Sequence, residues 1–145
     1  MTKVKTYVGT DGKLHFVNSA GADTALNFSS GLSKAKYEIL FDGIGTQIGN
    51  WSSTNSTSYT MSTSGKIYLS GYCLNAGSMG GNCLFKVYKN NTVIKTYTCG
   101  STEGNSIDIF GEFSIAKGDV IYVNRNGGLD AYGYFTHKVY LIFQE

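Results

Sequence analysis

A chain of 145 residues is long enough for one domain with a proper hydrophobic core, and at 41% hydrophobic content it is not a disordered segment. Charged residues make up only 15%, so neutral polar groups must build most of the surface. The net charge is +2, the lysines are scattered and Arg125 is the single arginine. That leaves out the basic stripe with which nucleic-acid binders displace counterions from phosphates.

No apolar run of about 18 residues occurs, so no transmembrane helix is encoded and no membrane insertion is expected. The segment Met1-Thr2-Lys3-Val4-Lys5 leads into no hydrophobic signal region, which fits synthesis in a reducing cytosol. Cys73, Cys83 and Cys99 are odd in number and lack a CxxC pair, so they read as three small buried thiols. The other arrangement sets Cys73 against Cys83 across a hairpin and leaves Cys99 free.

In chain order, Tyr7 to Asn18 reads as a hairpin turning at Asp11-Gly12. The small polar run Ser19–Asp23 follows, and Ser29-Ser30-Gly31 supplies a joint. This divides the chain into an N-terminal attachment segment, 1–35, and a main domain, 36–145. An extra edge hairpin packed on the same core is the equal alternative. The longest helix candidate, Gly31 to Leu40, has no cap and soon becomes an alternating stretch.

About eight strands are expected from Tyr37 to Phe143. Ile67, Leu69, Gly71 and Cys73 line one side of a strand, with Tyr68, Ser70 and Tyr72 on the other. Gly77–Gly81 reads as a long hairpin loop, and Asn90-Asn91 is a tight turn whose residues tolerate positive φ. Ile107, Ile109, Phe113 and Ile115 alternate with polar residues. Phe110 falls on the polar side, and Gly111 breaks the apolar side, which predicts a bend or bulge. Lys117-Gly118-Asp119 joins this strand to Val120–Val123, and Val139–Phe143 has the continuous apolar character of a strand covered on both faces. The fold class is therefore all-β, an antiparallel β-sandwich of jelly-roll type with an N-terminal β-hairpin segment.

Catalytic constellations are missing. His15 and His137 have no neighbours in sequence that would make a base or a zinc ligand of them, and both read as surface or satisfied structural residues. No DxD pair occurs, and the glycine-rich Gly77–Gly81 lacks the lysine and helix of a phosphate loop. The chain is read as a non-enzyme that needs no cofactor and no metal. The positive signal is eleven tyrosines and one tryptophan among Ser, Gly and Asn, a mixture of rigid amphipathic rings and adaptable hydrogen-bonding groups. Asn50, Trp51, Tyr59, Asp130, Tyr132 and Tyr134, on loop-like stretches, are the candidate ligand-binding residues.

Four stretches carry a resemblance: Ser64–Gly71, Phe85–Asn91, Ile115–Val123 with its Gly118-Asp119, and the aromatic-rich Tyr134–Phe143. Together they resemble the jelly roll of tumour-necrosis-factor and complement globular-head domains. That resemblance implies a homotrimer assembled through aromatic-rich faces, with partners bound at loops or between subunits. Unlike the animal members, this chain has no signal peptide, no proline and no collagen-like stalk. Tyr7–Phe16 and Gly21–Phe28 look like segments of phage-encoded proteins of gut bacteria. The implied role is a phage structural protein, assembled in the host cytoplasm into a virion beside other virion proteins. It would be a trimeric appendage (tail-fibre tip or head fibre) that binds a bacterial surface glycan or protein. The alternatives are a capsid-decoration protein and a carbohydrate-binding module of an adhesin or enzyme.

Overall fold

In the computed structural model, residues 5–11, 13–18, 20–26, 35–48, 52–78, 81–127 and 133–144 are described. All secondary structure among them is β. Three short strands come first: β1 (Lys5–Val8), β2 (Leu14–Val17) and β3 (Asp23–Ala25). The main body follows as β4 (Ala35–Ile48), β5 (Ser53–Asn55), β6 (Tyr59–Thr60), β7 (Gly65–Ser78), β8 (Cys83–Lys89), β9 (Thr92–Cys99), β10 (Ser106–Ile115), β11 (Val120–Gly127) and β12 (Gly133–Gln144). The helix candidate overlaps the start of β4, and its residues 31–34 lie outside the described residues.

The body is a jelly-roll sandwich. One sheet runs β10-β7-β12-β4, and the other runs β5-β11-β8-β9 with β6 also on β11; every pairing is antiparallel. Apart from the β5–β6 step and the β8–β9 hairpin, each connection crosses between the sheets. The expected alternation explains the core. Ile67, Leu69 and Cys73 of β7, Ile109 and Ile115 of β10, Phe85 and Val87 of β8, and Ile121 and Val123 of β11 all point between the sheets.

The β8–β9 turn has both central residues at positive φ, Asn90 at 51° and Asn91 at 64°, as a two-residue hairpin matched to the strand twist requires. Asn90 also accepts from Val120 N at 2.8 Å and donates to Asp119 at 2.6 Å, tying this turn to the β10–β11 turn. One connection differs from expectation. Gly77–Gly81 does not close a hairpin, because β7 and β8 belong to different sheets. Lys117-Gly118-Asp119 joins β10 to β11 as expected, and in doing so passes from one sheet to the other. Short turns mark chain reversals, but which sheet the returning strand joins depends on contacts far away in sequence.

The cysteines are all buried and free. Cys73 is not the hairpin partner of Cys83; Cys83 stands directly opposite Cys99 on β9. No bulge occurs at Gly111, where the β10–β7 register runs unbroken. Gly111 instead makes room for side chains: a Cβ there would lie 2.5 Å from the Tyr97 hydroxyl oxygen, which donates to the Phe110 carbonyl at 2.8 Å.

Phe110 shows where the N-terminal strands go. They form their own sheet, β1-β2-β3, which adds a third strand to the predicted hairpin. This sheet lies on the outer face of the β10-β7-β12-β4 sheet rather than at an edge. Phe16 and Leu26 pack with the outward-facing Tyr68 and Ile142, and Phe16 stacks on Phe110 with ring centroids 4.2 Å apart. Thr6 meets Ser70 at 3.4 Å. Leu14 packs against the same cluster, and Phe16→Ala is expected to remove about 3 kcal/mol of the layer's docking energy. Hydrogen exchange should then show loss of protection in β1–β3, with β7 and β12 unaffected.

Candidate functional site

The ends of six strands meet at one end of the sandwich. Ile48 of β4 and Ser78 of β7 both pair with Gly133, the first residue of β12. Gly127, the last residue of β11, pairs with Cys83, the first of β8, and its N–H donates to the Ser52 carbonyl at 2.8 Å. Ser53 pairs with Asn126. The strand ends that flank 49–51, 79–80 and 128–132 are thus gathered together. Of the candidate ligand-binding residues, Asn50, Trp51, Asp130 and Tyr132 lie outside the described residues. Tyr134 stands at this end on the outward side of β12 and is 53% exposed.

Tyr59 is elsewhere. It packs against Phe143 with centroids 5.7 Å apart, and its hydroxyl donates to Glu38 at 3.3 Å. Burial and the Glu38 carboxylate raise its pKa. Phe143 lies nine residues along β12 from Tyr134, roughly 30 Å at strand rise. The structure does not bring these two tyrosines together.

Polar residues cluster under the gathered end. Asn124 of β11 is buried, and its amide nitrogen donates to Ser53 Oγ at 2.8 Å and Asn55 Oδ1 at 2.7 Å, which fixes the short strand β5. Beside it Arg125 points inward, with Nη1 2.9 Å from His137 Nε2. The guanidinium carbon lies 5.3 Å from the Phe41 ring centroid, and His137 is flanked by Phe41 and Phe85 at 6.2 and 5.6 Å. Of the two roles expected for it, surface or structural, His137 takes the second: it lies within β12 and is fully buried. Burial, with the Arg125 charge second, depresses its pKa to about 4, so the ring is neutral at ordinary pH. Sequence reading had two available signals for this pair: the only arginine, and a histidine at an inward position of an alternating strand.

His15, by contrast, is satisfied. Its Nδ1 lies 3.0 Å from Asp23 Oδ1, its Nε2 3.0 Å from Asp11 Oδ1, and Tyr7 stacks on it while donating to Asp23 at 2.6 Å. Among the described residues, no group of three or more His, Cys, Asp or Glu side chains is placed to hold a metal ion.

No family model matches the chain, and no curated protein matches it. Solved structures do. A crystal structure of dimeric latent PorU from Porphyromonas gingivalis superposes with a TM-score of 0.54 at 9% identity, over 81% of this chain. The chain spans only 14% of that protein's length. The C-terminal CBM6 of LamC from Zobellia galactanivorans gives 0.46 at 12% identity, over 97% of this chain and 88% of that one. A structure of infectious bursal disease virus, Gx strain, gives 0.46 at 11% identity, over 91% and 42%. At such identities the likeness concerns the fold, a β-sandwich.

Proposed function

We propose that this chain is a non-enzymatic binding domain of a phage particle, a trimeric virion appendage whose loop-bearing end engages a glycan or protein of the bacterial surface. The observation that carries this reading is the gathering of six strand ends at one end of the sandwich, with the exposed Tyr134 beside them. Variable loops on a fixed scaffold are a common way to present a binding surface.

Assembly is supported by the outer face of the β10-β7-β12-β4 sheet. Beyond the area covered by β1–β3, it exposes Tyr37, stacked on Tyr140 at 4.8 Å, and Ile39, which is 55% exposed. An aromatic and aliphatic patch of this kind suits a second copy of the chain. Residues 1–35 serve as the attachment segment to other virion proteins. Light scattering at micromolar concentration should give the mass of three chains, and a monomer would defeat the trimer. Labelled protein should bind host cells, with Tyr134→Ala weakening binding about tenfold, the effect of losing one central aromatic contact. No binding to any host strain would defeat receptor recognition.

A second reading, a carbohydrate-binding module, is favoured by one feature. On the outer face of the β5-β11-β8-β9 sheet, Tyr88 and Tyr122 stack at 4.7 Å and 4°, in the row next to Asn124. Glycan-array binding by a monomer, lost in Tyr122→Ala, would select that reading.

A further inference from the structure

We propose that Cys83 and Cys99 are the site of an intramolecular disulfide, made while the chain folds in the presence of a small-molecule disulfide and then sealed by the core. It stands independently of the receptor-binding reading.

Strand pairing places the two residues. Cys83 is the first residue of β8 and Cys99 the last of β9, and the register sets them directly opposite each other. Both are fully buried members of the core, so both side chains leave the same, inward face of the sheet. Directly opposed residues of an antiparallel pair have Cα atoms about 4.5 or 5.5 Å apart, according to their place in the hydrogen-bond ladder. Both values fall within the roughly 4.4–6.8 Å that a disulfide spans. The bond needs no cavity, because it joins two side chains that already face each other.

Cys73 of the facing sheet reaches the same place. Its thiol lies within hydrogen-bonding reach of both Cys83 and Cys99, and Cys99 Sγ donates to the Cys73 carbonyl at 3.7 Å. All three cysteines of the chain therefore meet at one point of the core. Only Cys83 and Cys99 belong to neighbouring strands of one sheet, so strand pairing itself holds their backbones at bridging distance. Cys73 is the thiol left over.

Burial decides when the bond forms. Once the sandwich has closed, the thiols are shut off from any reagent in water, so oxidation precedes closure. The β8–β9 hairpin is local, and its Asn90-Asn91 turn brings positions 83 and 99 together ahead of the long-range pairings. One cysteine thiolate attacks the small disulfide, giving a mixed disulfide and releasing one thiolate; the second cysteine then displaces the other half. In balance, two protein thiols become one protein disulfide, and one small disulfide becomes two thiols that carry away both protons. The bridge closes the open end of the hairpin, where Cys83 also pairs with Gly127 beneath the loop-bearing end.

The test is refolding of the whole protein from urea, with reduced glutathione alone or with a mixture of reduced and oxidised glutathione, followed by counting free thiols in denaturant. Reduced refolding should leave all three thiols, and oxidised refolding one, with the mass lower by two hydrogens. Cys73→Ala should pass from two thiols to none. If that variant fails to fold, chymotryptic cleavage after Leu74, between Cys73 and Cys83, identifies the bridged pair in the wild-type protein. Dithiothreitol should reduce the bridge at least about a hundredfold more slowly in the folded protein than in urea. Three thiols after oxidised refolding, glutathione adducts in place of the bridge, or a bridge that includes Cys73 overturns the assignment. Equal reduction rates with and without urea overturn the sealing.

Discussion

Lowering the pH from neutral to about 4 will destabilise this protein by about 3 kcal/mol through His137 alone. The folded-state pKa is depressed to about 4 from an ordinary 6.5. Below pH 6.5 the unfolded chain takes up a proton at this ring that the native core does not accept. Stability from this group is thus fully present above 6.5, is lost as pH falls through the window, and levels off below 4. The charged and titratable groups facing the ring are Arg125, which opposes protonation, and Asp42, which favours it while paired to Lys138.

His15 runs in the opposite sense. Its hydrogen bond to Asp11, with that to Asp23, raises its pKa, so its contribution is full below pH 6.5 and is lost as pH rises through the raised value. Urea unfolding at several pH values separates the two. In His137→Phe the stability difference between pH 7 and 4 should shrink by about 3 kcal/mol, whatever the variant's stability at neutral pH. An unchanged pH slope would show that the ring takes up its proton in the folded state as readily as in the unfolded chain.

The second large effect is expected at Gly71. It sits in the middle of β7, between Val139 of β12 and Ile109 of β10. A Cβ built there would lie 2.1 Å from the Lys138 carbonyl oxygen and 2.9 Å from Val139 Cα. Both are backbone atoms of the central strand, so no rotamer change relieves the clash. Gly71→Ala should destabilise by more than the roughly 1–3 kcal/mol typical of overpacking, with the protein recovered insoluble or with a collapsed melting transition. Gly118→Ala makes an instructive control. It has open space around its Cβ but φ near 91°, so its cost is conformational alone, about 1–2 kcal/mol. Comparable melting temperatures for the two variants would refute the steric account of Gly71.

Much of this fold is written locally. The inward residues of β7 and β10, the Asn90-Asn91 turn and the apolar run of β12 follow from period-two alternation and turn chemistry, which involve only neighbours in sequence. What local pattern could not give is what covers each face. Phe110 looked misplaced on a polar side because its partner, Phe16, is some ninety residues away on another sheet. Gly111 suggested a bulge because the sequence does not reveal that the Tyr97 hydroxyl and the Phe113 ring lie against it. Among the candidate binding residues, Tyr134 is exposed at the loop end, whereas Tyr59 is half-buried at the opposite end, held by Phe143 and Glu38. Both had the same Tyr-among-small-residues signature. The Arg125–His137 pair escaped notice because the two residues lie on strands of different sheets, twelve positions apart, and only sandwich closure makes them neighbours.

The strands that border the two sheets of the body, β4, β9, β10 and β5 with the two-residue β6, raise a matter of solubility. Unpaired edges invite chain-to-chain zippering, yet β5 is only three residues long and wholly polar, and β10 displays Asp108 and Glu112 on its outward side. β9 carries Lys95 and is kinked against β8 by an irregularity in register. β4 departs from regular pairing with β12 at two places. Each edge is thus blunted by brevity, charge or distortion, and none offers a long flat template. At high concentration the folded chain is thereby kept from zippering edge to edge into fibres.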